Sequence, residues 1–474
     1  MGARWLVLSI CLSWLAGSPL AEPAQLPGPV AGALARAGIP QSAAAFYVQE
    51  VGASGPLLAV GADRVLNPAS TIKLLTTYAA LELLGPAYTW STEAHADSDP
   101  VKGVLSGDLV LKGHGDPKLT LENFWLFLRE LRARGVRDIR GDLVLDRSFF
   151  APETAEASGV DDKPMRPYNT APDALLINFK SVQLQFVPVS AGHAVRIIAE
   201  PDLPQVRIVN QIVADNARCG YWEARLRYDL RDGPEMASLR FAGKMAADCG
   251  ERERYFSVLG PNAYALGLFQ VLWRELGGTF RGGARDGEVG ANAPLLARWK
   301  SQPLADTVRD INKFSNNVMA RQLFLTLGAE TEGPPATTEK SVRTIQRWLA
   351  DKGLAFPELV LENGAGLSRL ERLSARSLGL LLLTAYRSPV MPELIASLPL
   401  AAADGTMKKR LKDAGVAGRA HIKTGSLDDV RAIEGYLLDA QGRRMVVVFI
   451  VNHRNAHNAQ GVQDALLEWV FQRG

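Results

Sequence analysis

The chain has 474 residues, 47% of them hydrophobic and 22% charged, with a formal net charge of +3. That balance suits a globular protein with more than one apolar core, and the length fits two or three domains. The small charge, with no runs of like sign, excludes the dense basic surface of a nucleic-acid protein.

The N-terminus reads as an export segment. Arg4 gives a basic start, Trp5 to Ala16 an apolar stretch, and Pro19-Leu20-Ala21 a small residue before a cut, so residues 1–21 are expected to be a signal peptide. The stretch is short for a membrane span, and an uncleaved signal anchor is the alternative. Cys11 leaves with this segment, and Ile10 stands where a lipidated cysteine needs a small residue. The mature chain then keeps Cys219 and Cys249. An even pair in an oxidising compartment suggests one disulfide, with two buried free thiols as the alternative.

Residues 43–51 and 56–60, flanking Gly52-Ala53-Ser54-Gly55, predict a hairpin. Asn67-Pro68-Ala69-Ser70 opens a helix, with Asn67 as N-cap and Pro68 in the first turn, and Gly85-Pro86 ends it. Its positions are apolar on nearly every side, as in a buried helix. From about 91 to 262 short strands alternate with Gly/Asp turns: 107–112, a helix at 120–134, then 141–146. Within that stretch 176–251 is nearly all β, with runs at 182–188, 194–199, 206–213, 223–229 and 237–242. Helical patterns return at 261–276, 304–311 and 317–327; 329–338 reads as a loop; helices follow at 339–352 and 374–387. A strand at 419–424, a hairpin of 431–438 and 444–452, and a helix from about 458 close the chain. The two ends therefore feed one sheet. The expected division is a catalytic unit of 26–90 and 263–474, an inserted domain of 91–175 and 252–262, and a nested β-rich module of 176–251.

Three motifs occur in order, each once: Ser70-Thr71-Ile72-Lys73, Ser315-Asn316-Asn317 and Lys423-Thr424-Gly425. Positions i and i+3 share a helix face, so Lys73 can reach the Ser70 hydroxyl. A serine needs a base to become a nucleophile, and a lysine serves if burial and a second cation, such as Lys423, depress its pKa. Placing Ser70 in a first helical turn also points it at free N–H groups that favour negative charge. A Ser and a Lys three apart arise about once or twice by chance in such a chain, but Lys-Thr-Gly only on the order of 0.1 times. Order and context make the set specific: Ser70 follows a helix start, Ser315 opens another apolar helix, and Lys423 ends a strand. There is no Gly-X-Ser-X-Gly elbow and no His-Glu-X-X-His, and the six histidines are scattered, so neither a metal nor a cofactor is expected. His114 reads as a turn residue and His421 as a strand residue beside the site.

At these motifs the sequence resembles the penicillin-recognising serine enzymes. The long stretch between Ser70 and Ser315 is similar to the insertion of the class C low-molecular-mass penicillin-binding proteins, the penicillin-binding protein 4 type of D-alanyl-D-alanine carboxypeptidase/endopeptidase. Leu111-Lys112-Gly113-His114-Gly115-Asp116-Pro117, 141–146, 363–369 and Lys423-Thr424-Gly425-Ser426-Leu427 resemble the same family. The resemblance implies an α/β (α+β) penicillin-recognising, serine transpeptidase-like fold: an antiparallel sheet flanked by helices, with the large insertion and its nested module. It also implies an acylated Ser70, Lys73 as its base, and Ser315 and Asn317 as proton relay and amide holder. Lys423 and Thr424 would bind the substrate carboxylate, and the N–H groups of Ser70 and Ser426 would form an oxyanion hole beside Gly425. Asp146, Arg369 and Asp428 match positions that read the free end of the peptidoglycan diamino acid. Asp428 stands where some relatives carry Gln, and an acid there cannot donate an amide hydrogen bond.

The expected protein is a periplasmic, cofactor-free peptidase of peptidoglycan peptides that β-lactams acylate, with no nucleic-acid partner and peripheral contact with the inner membrane. Two rivals remain at this level. A β-lactamase or D-amino esterase would turn penicillin over rapidly, and a wall-binding protein would release no D-Ala.

Overall fold

The computed structural model describes residues 25–152, 163, 165–189 and 194–473. The predicted export segment, with Arg4 and Cys11, lies outside the described residues.

The two ends of the chain build one five-stranded antiparallel sheet, in the order Ala420–Leu427, Val430–Leu438, Arg444–Asn452, Ala44–Glu50, Leu58–Val60. Its central strand is apolar on both faces, because helices cover both. Val446, Val448 and Ile450 pack with Leu74, Leu378 and Leu382. Met445, Val447, Phe449 and Val451 pack instead with Val30, Leu466 and Leu467. The period of two in the strand thus serves two cores at once. The predicted hairpin, the helix after Asn67 and the C-terminal helix all fall close to their observed places: Lys73–Leu83 for the second and Gln460–Gln472 for the third.

The inserted stretch forms sheets of its own. Ser91–Ala96, Leu109–Gly113 and Leu143–Asp146 belong to a five-stranded sheet with the helix Leu121–Ala133 beside it. A six-stranded sheet takes up the β-rich part, with Val206–Asp215 parallel to Ala237–Ala246. The sulfur atoms of Cys219 and Cys249 are 2.07 Å apart, in the bonded arrangement expected for the pair.

Three expectations need correction. The strands Ala284–Asp286 and Leu295–Lys300 pair with Leu143–Asp146 and Ser91–Ala96, so the insertion runs to Lys300 rather than ending at 262. These segments are short and carry exposed polar residues, so they show little period of two. The strand Arg252–Phe256 pairs with Val182–Val189, which extends the nested module beyond 251. Residues 329–332 continue the helix Asn317–Glu332 instead of opening a loop.

The insertion is anchored beside the second motif. Gln322, on the helix Asn317–Glu332, accepts from Asp173 N at 3.0 Å and donates to Asp173 O at 2.8 Å. Phe149 and Phe150 reach from the insertion into the core that holds Leu74 and Leu323.

Candidate active site

Ser70 lies in a 3₁₀ turn, Ala69–Ile72, immediately before the helix Lys73–Leu83. In such a turn side chains three apart nearly eclipse. Lys73 Nζ accordingly lies 3.0 Å from Ser70 Oγ. The turn is braced from two sides. Asn67 N donates to Asn452 Oδ1 at 2.7 Å, and Asn452 Nδ2 returns a bond to Asn67 O at 3.0 Å. Asn67 also accepts from Ala69 N at 2.8 Å and donates to Ser368 O at 2.8 Å. Ala69 itself holds a φ of 48°, a left-handed conformation that a non-glycine residue adopts only when its surroundings enforce it.

The second motif sits on a sharp corner. The helix Leu304–Phe314 ends at Ser315, which is left-handed with φ 55° and ψ 40°. Asn316 then caps the next helix, accepting from Met319 N at 3.0 Å. The corner aims Ser315 and Asn317 at the two lysines. Lys73 Nζ donates to Asn317 Oδ1 at 2.7 Å, and Lys423 Nζ donates to Ser315 Oγ at 2.8 Å. The third motif lies on the strand Ala420–Leu427, with Thr424 Oγ1 2.8 Å from Thr406 Oγ1.

Backbone closeness around Ser70 requires glycine at two points. A Cβ on Gly366 would stand 2.1 Å from Ala69 O, and one on Gly425 would stand 2.8 Å from Pro68 O. The latter approach brings the end of the third motif against the Ser70 amide, where two converging N–H donors can receive an oxyanion.

Lys73 and Lys423 are both fully buried. Burial, and then the Lys423 cation, push Lys73 well below the ordinary lysine range, while Glu371 pulls it back up. Burial pushes Lys423 down to about 7, against Glu434. An amine depressed in this way can be neutral near neutral pH and take a proton from Ser70 Oγ.

Glu371 carries no sequence signature, since it follows Leu370 as one more charged residue. It is fully buried, and its Oε1 accepts from Asn363 N and Gly364 N, each at 3.1 Å, and from Glu362 N at 3.4 Å. Burial pushes it up to about 7. It therefore shapes the loop whose Ala365 carbonyl accepts a short hydrogen bond from Lys73 Nζ.

The outer residues divide. Arg369 Nη1 donates to Asp429 Oδ1 at 2.8 Å, and its Nη2 lies 3.4 Å from Asp428 Oδ2. Asp428 is 91% exposed. Asp146 is fully buried, and its carboxylate is taken up by Ser148 Oγ at 2.6 Å, Val289 N at 2.9 Å and Lys112 Nζ at 3.6 Å. Burial raises its pKa, but these donors outweigh that and hold it below the usual range. His114 lies 3.6 Å from Glu93 and edge-on to Phe149, and His421 lies in the strand of the third motif. Among the described residues one grouping has metal-ligand spacing, Asp248 with Cys219 and Cys249, whose sulfurs are bonded to each other and so are not thiolates. A groove of about 500 Å³ runs from Ser315 and Asn317 to the insertion, where Tyr168, Phe179 and Tyr255 line it.

Comparison with known proteins gives a consistent picture. Residues 27–472 match the D-Ala-D-Ala carboxypeptidase 3 (S13) family. The D-alanyl-D-alanine carboxypeptidase of Actinomadura sp. (strain R39) is 30% identical over 421 residues, covering 86% of this chain and 77% of that protein. Penicillin binding protein 4 (dacB) from Haemophilus influenzae superposes with a TM-score of 0.79 at 23% identity, over 94% of this chain and 99% of that one. Its complex with a β-lactam superposes with a TM-score of 0.74 at 23% identity and the same coverage.

Proposed function

The chain belongs to the D-Ala-D-Ala carboxypeptidase 3 (S13) family, and from that premise we propose how its residues carry the reaction. The protein is a serine-type D-alanyl-D-alanine carboxypeptidase and endopeptidase of peptidoglycan stem peptides and cross-links, and a target of β-lactams. The observation that carries the assignment of roles is Lys73 Nζ, held between Ser70 Oγ at 3.0 Å and Asn317 Oδ1 at 2.7 Å.

Ser70 Oγ attacks the carbonyl carbon of the D-Ala-D-Ala bond and passes its proton to the neutral amine of Lys73. The carbonyl oxygen takes the negative charge and is received by the N–H groups of Ser70 and Ser426. The C–N bond then breaks, and the leaving amine collects a proton from Lys73 or through Ser315. Free D-Ala departs, or the amine of a cross-linked diamino acid. Water repeats the attack on the acyl-serine and regenerates Ser70. Lys423 and Thr424 hold the terminal carboxylate, because a free carboxylate needs a cation and a hydroxyl. Asn317 holds the substrate amide. β-Lactams enter the same path and leave Ser70 acylated.

Arg369 and Asp428 form an exposed rim suited to the charged end of the diamino acid, whereas Asp146, buried and held by Ser148, Val289 and Lys112, stays within the insertion. The groove between Ser315 and the insertion gives room for the rest of a cross-linked peptide. Residues 26–90 and 301–474 form the catalytic domain, and 91–300 the insertion with its nested module. The enzyme works in the periplasm, exported by residues 1–21. No helix among the described residues is long and apolar enough to cross a membrane.

Mass spectrometry of muropeptides incubated with the mature protein tests this reading. Loss of one D-Ala from pentapeptides, together with dimers opened to monomers, is expected. Unchanged muropeptides, with labelled penicillin bound, would leave only a wall-binding protein.

A further inference from the structure

The strand Val430–Leu438 carries Ala432, Ile433, Tyr436 and Leu437, all fully buried, and one acidic side chain among them, Glu434. Antiparallel pairing sets Glu434 directly opposite Lys423. Directly opposed residues project from the same face of a sheet. Glu434 is 0% exposed, and neither carboxylate oxygen has a hydrogen-bond partner among the described residues. Lys423 Nζ directs its own hydrogen bonds elsewhere, to Ser315 Oγ at 2.8 Å and Thr424 O at 2.7 Å. The carboxylate therefore acts on the lysine through space, in a region closed to bulk solvent where screening is weak.

We propose that Glu434 is the buried counter-charge that keeps Lys423 cationic in the empty site, and so is a positioning residue for the terminal carboxylate of the substrate. The inference rests on the reading of Lys423 as the clamp for that carboxylate. The two lysines have opposite tasks. Lys73 must be neutral to accept a proton, whereas Lys423 must be charged to hold an anion. Two buried cations side by side each disfavour the other, so their environments must separate them. Each has its own carboxylate. Glu371, near Lys73, gives one oxygen to three backbone N–H groups. Glu434, opposite Lys423, is given to none. Its field falls on the lysine undivided.

The direction of the effect follows. Lys423 stands at about 7 with Glu434 pulling it upward. Without that pull it loses its proton below neutral pH. A less charged Lys423 then depresses Lys73 less, so the base needs a higher pH to become neutral. The window in which one lysine is neutral and the other charged narrows from both sides. Two phenols close to Glu434 and its strand stay out of that range. Burial holds Tyr78, from the helix Lys73–Leu83, and Tyr436, on the same strand, far above it. Tyr386, from the helix Ala375–Tyr386, and Arg444, on the next strand, also lie near Tyr436. Burial pushes Glu434 itself well above the ordinary carboxylate range and the Lys423 cation pulls it back, so the two buried groups hold their charges as a pair.

The test is the pH dependence of kcat/KM for D-Ala release from a peptide ending in D-Ala-D-Ala, for the wild-type chain, Glu434→Gln and Glu434→Asp. In Glu434→Gln the alkaline limb is expected to move down by on the order of one pH unit, with KM at pH 8 rising roughly tenfold and kcat changing less. Glu434→Asp, which restores the charge, should return the limb toward wild type. Selective ¹³Cε labelling of lysine reads the Lys423 titration directly, and its midpoint should fall by a similar amount even if turnover is lost. If glutamine is not tolerated, Glu434→Ser provides the uncharged variant for the same titration. A Glu434→Gln profile that superimposes on the wild type would overturn the inference, as would a uniform loss of kcat with the Lys423 midpoint unmoved. A wild-type chain that releases no D-Ala at any pH would overturn the underlying reading of the clamp instead.

Discussion

The centre of the site and its rim hold the same kinds of group in opposite surroundings. At the centre, Lys73, Lys423, Glu371 and Glu434 are all fully buried, and their ionisation is set by burial and by one another. At the rim, Arg369, Asp428 and Asp429 are 45%, 91% and 56% exposed. A charge in the dry centre interacts strongly and is costly to strand, whereas an exposed pair in water is worth on the order of 0–1 kcal/mol. Chemistry should therefore respond steeply to the centre and only mildly to the rim.

The largest effect expected is that of Lys73→Ala. Acylation by penicillin should slow about 10³-fold with little change in overall fold, as read by stopped-flow with a labelled penicillin. A loss of only a few-fold would place the base elsewhere and collapse the contrast. Glu371→Ala comes next. It leaves the Glu362, Asn363 and Gly364 N–H groups without their acceptor inside a buried loop, and a cost of ~3 kcal/mol in urea unfolding is expected.

The pH dependence of acylation sharpens the same contrast. The reacting form has Lys73 neutral, and its pKa is depressed by burial and by Lys423. The rate should therefore rise with pH through a midpoint well below that of a free lysine and fall away on the acid side. A rate that keeps rising up to the pH at which a free lysine loses its proton would contradict a depressed lysine. Arg369→Ala should have the smallest effect: KM for peptides with a free diamino-acid end rising about threefold, and stability within about 0.5 kcal/mol of wild type. A tenfold or greater loss would make the rim as important as the centre.

The difference between centre and rim also marks what could be read in the sequence. Ser70, Lys73, Ser315, Asn317, Lys423 and Thr424 were legible because their spacing and local context, a helix start, the opening of an apolar helix and a strand, are written in neighbouring residues. The pairing of Glu434 with Lys423 was not, because it depends on the register between two strands and on the depth of that face. Its one trace is a lone acid in the apolar run Val430–Leu438. Glu371 left no trace at all, since its importance comes from a loop that folds back over it. The five-stranded sheet of the chain ends was foreseeable from long apolar runs. The strands between 279 and 300 were not, because they are too short and too polar to show a period, and only their pairing with the insertion reveals them.

The most direct test of the central claim is intact-protein mass spectrometry after incubation with benzylpenicillin, followed by digestion to locate the adduct. The account predicts one long-lived penicilloyl group on the peptide that contains Ser70, and none on a Ser70→Ala protein. An adduct that persists in Ser70→Ala, or that maps to another residue, would contradict it.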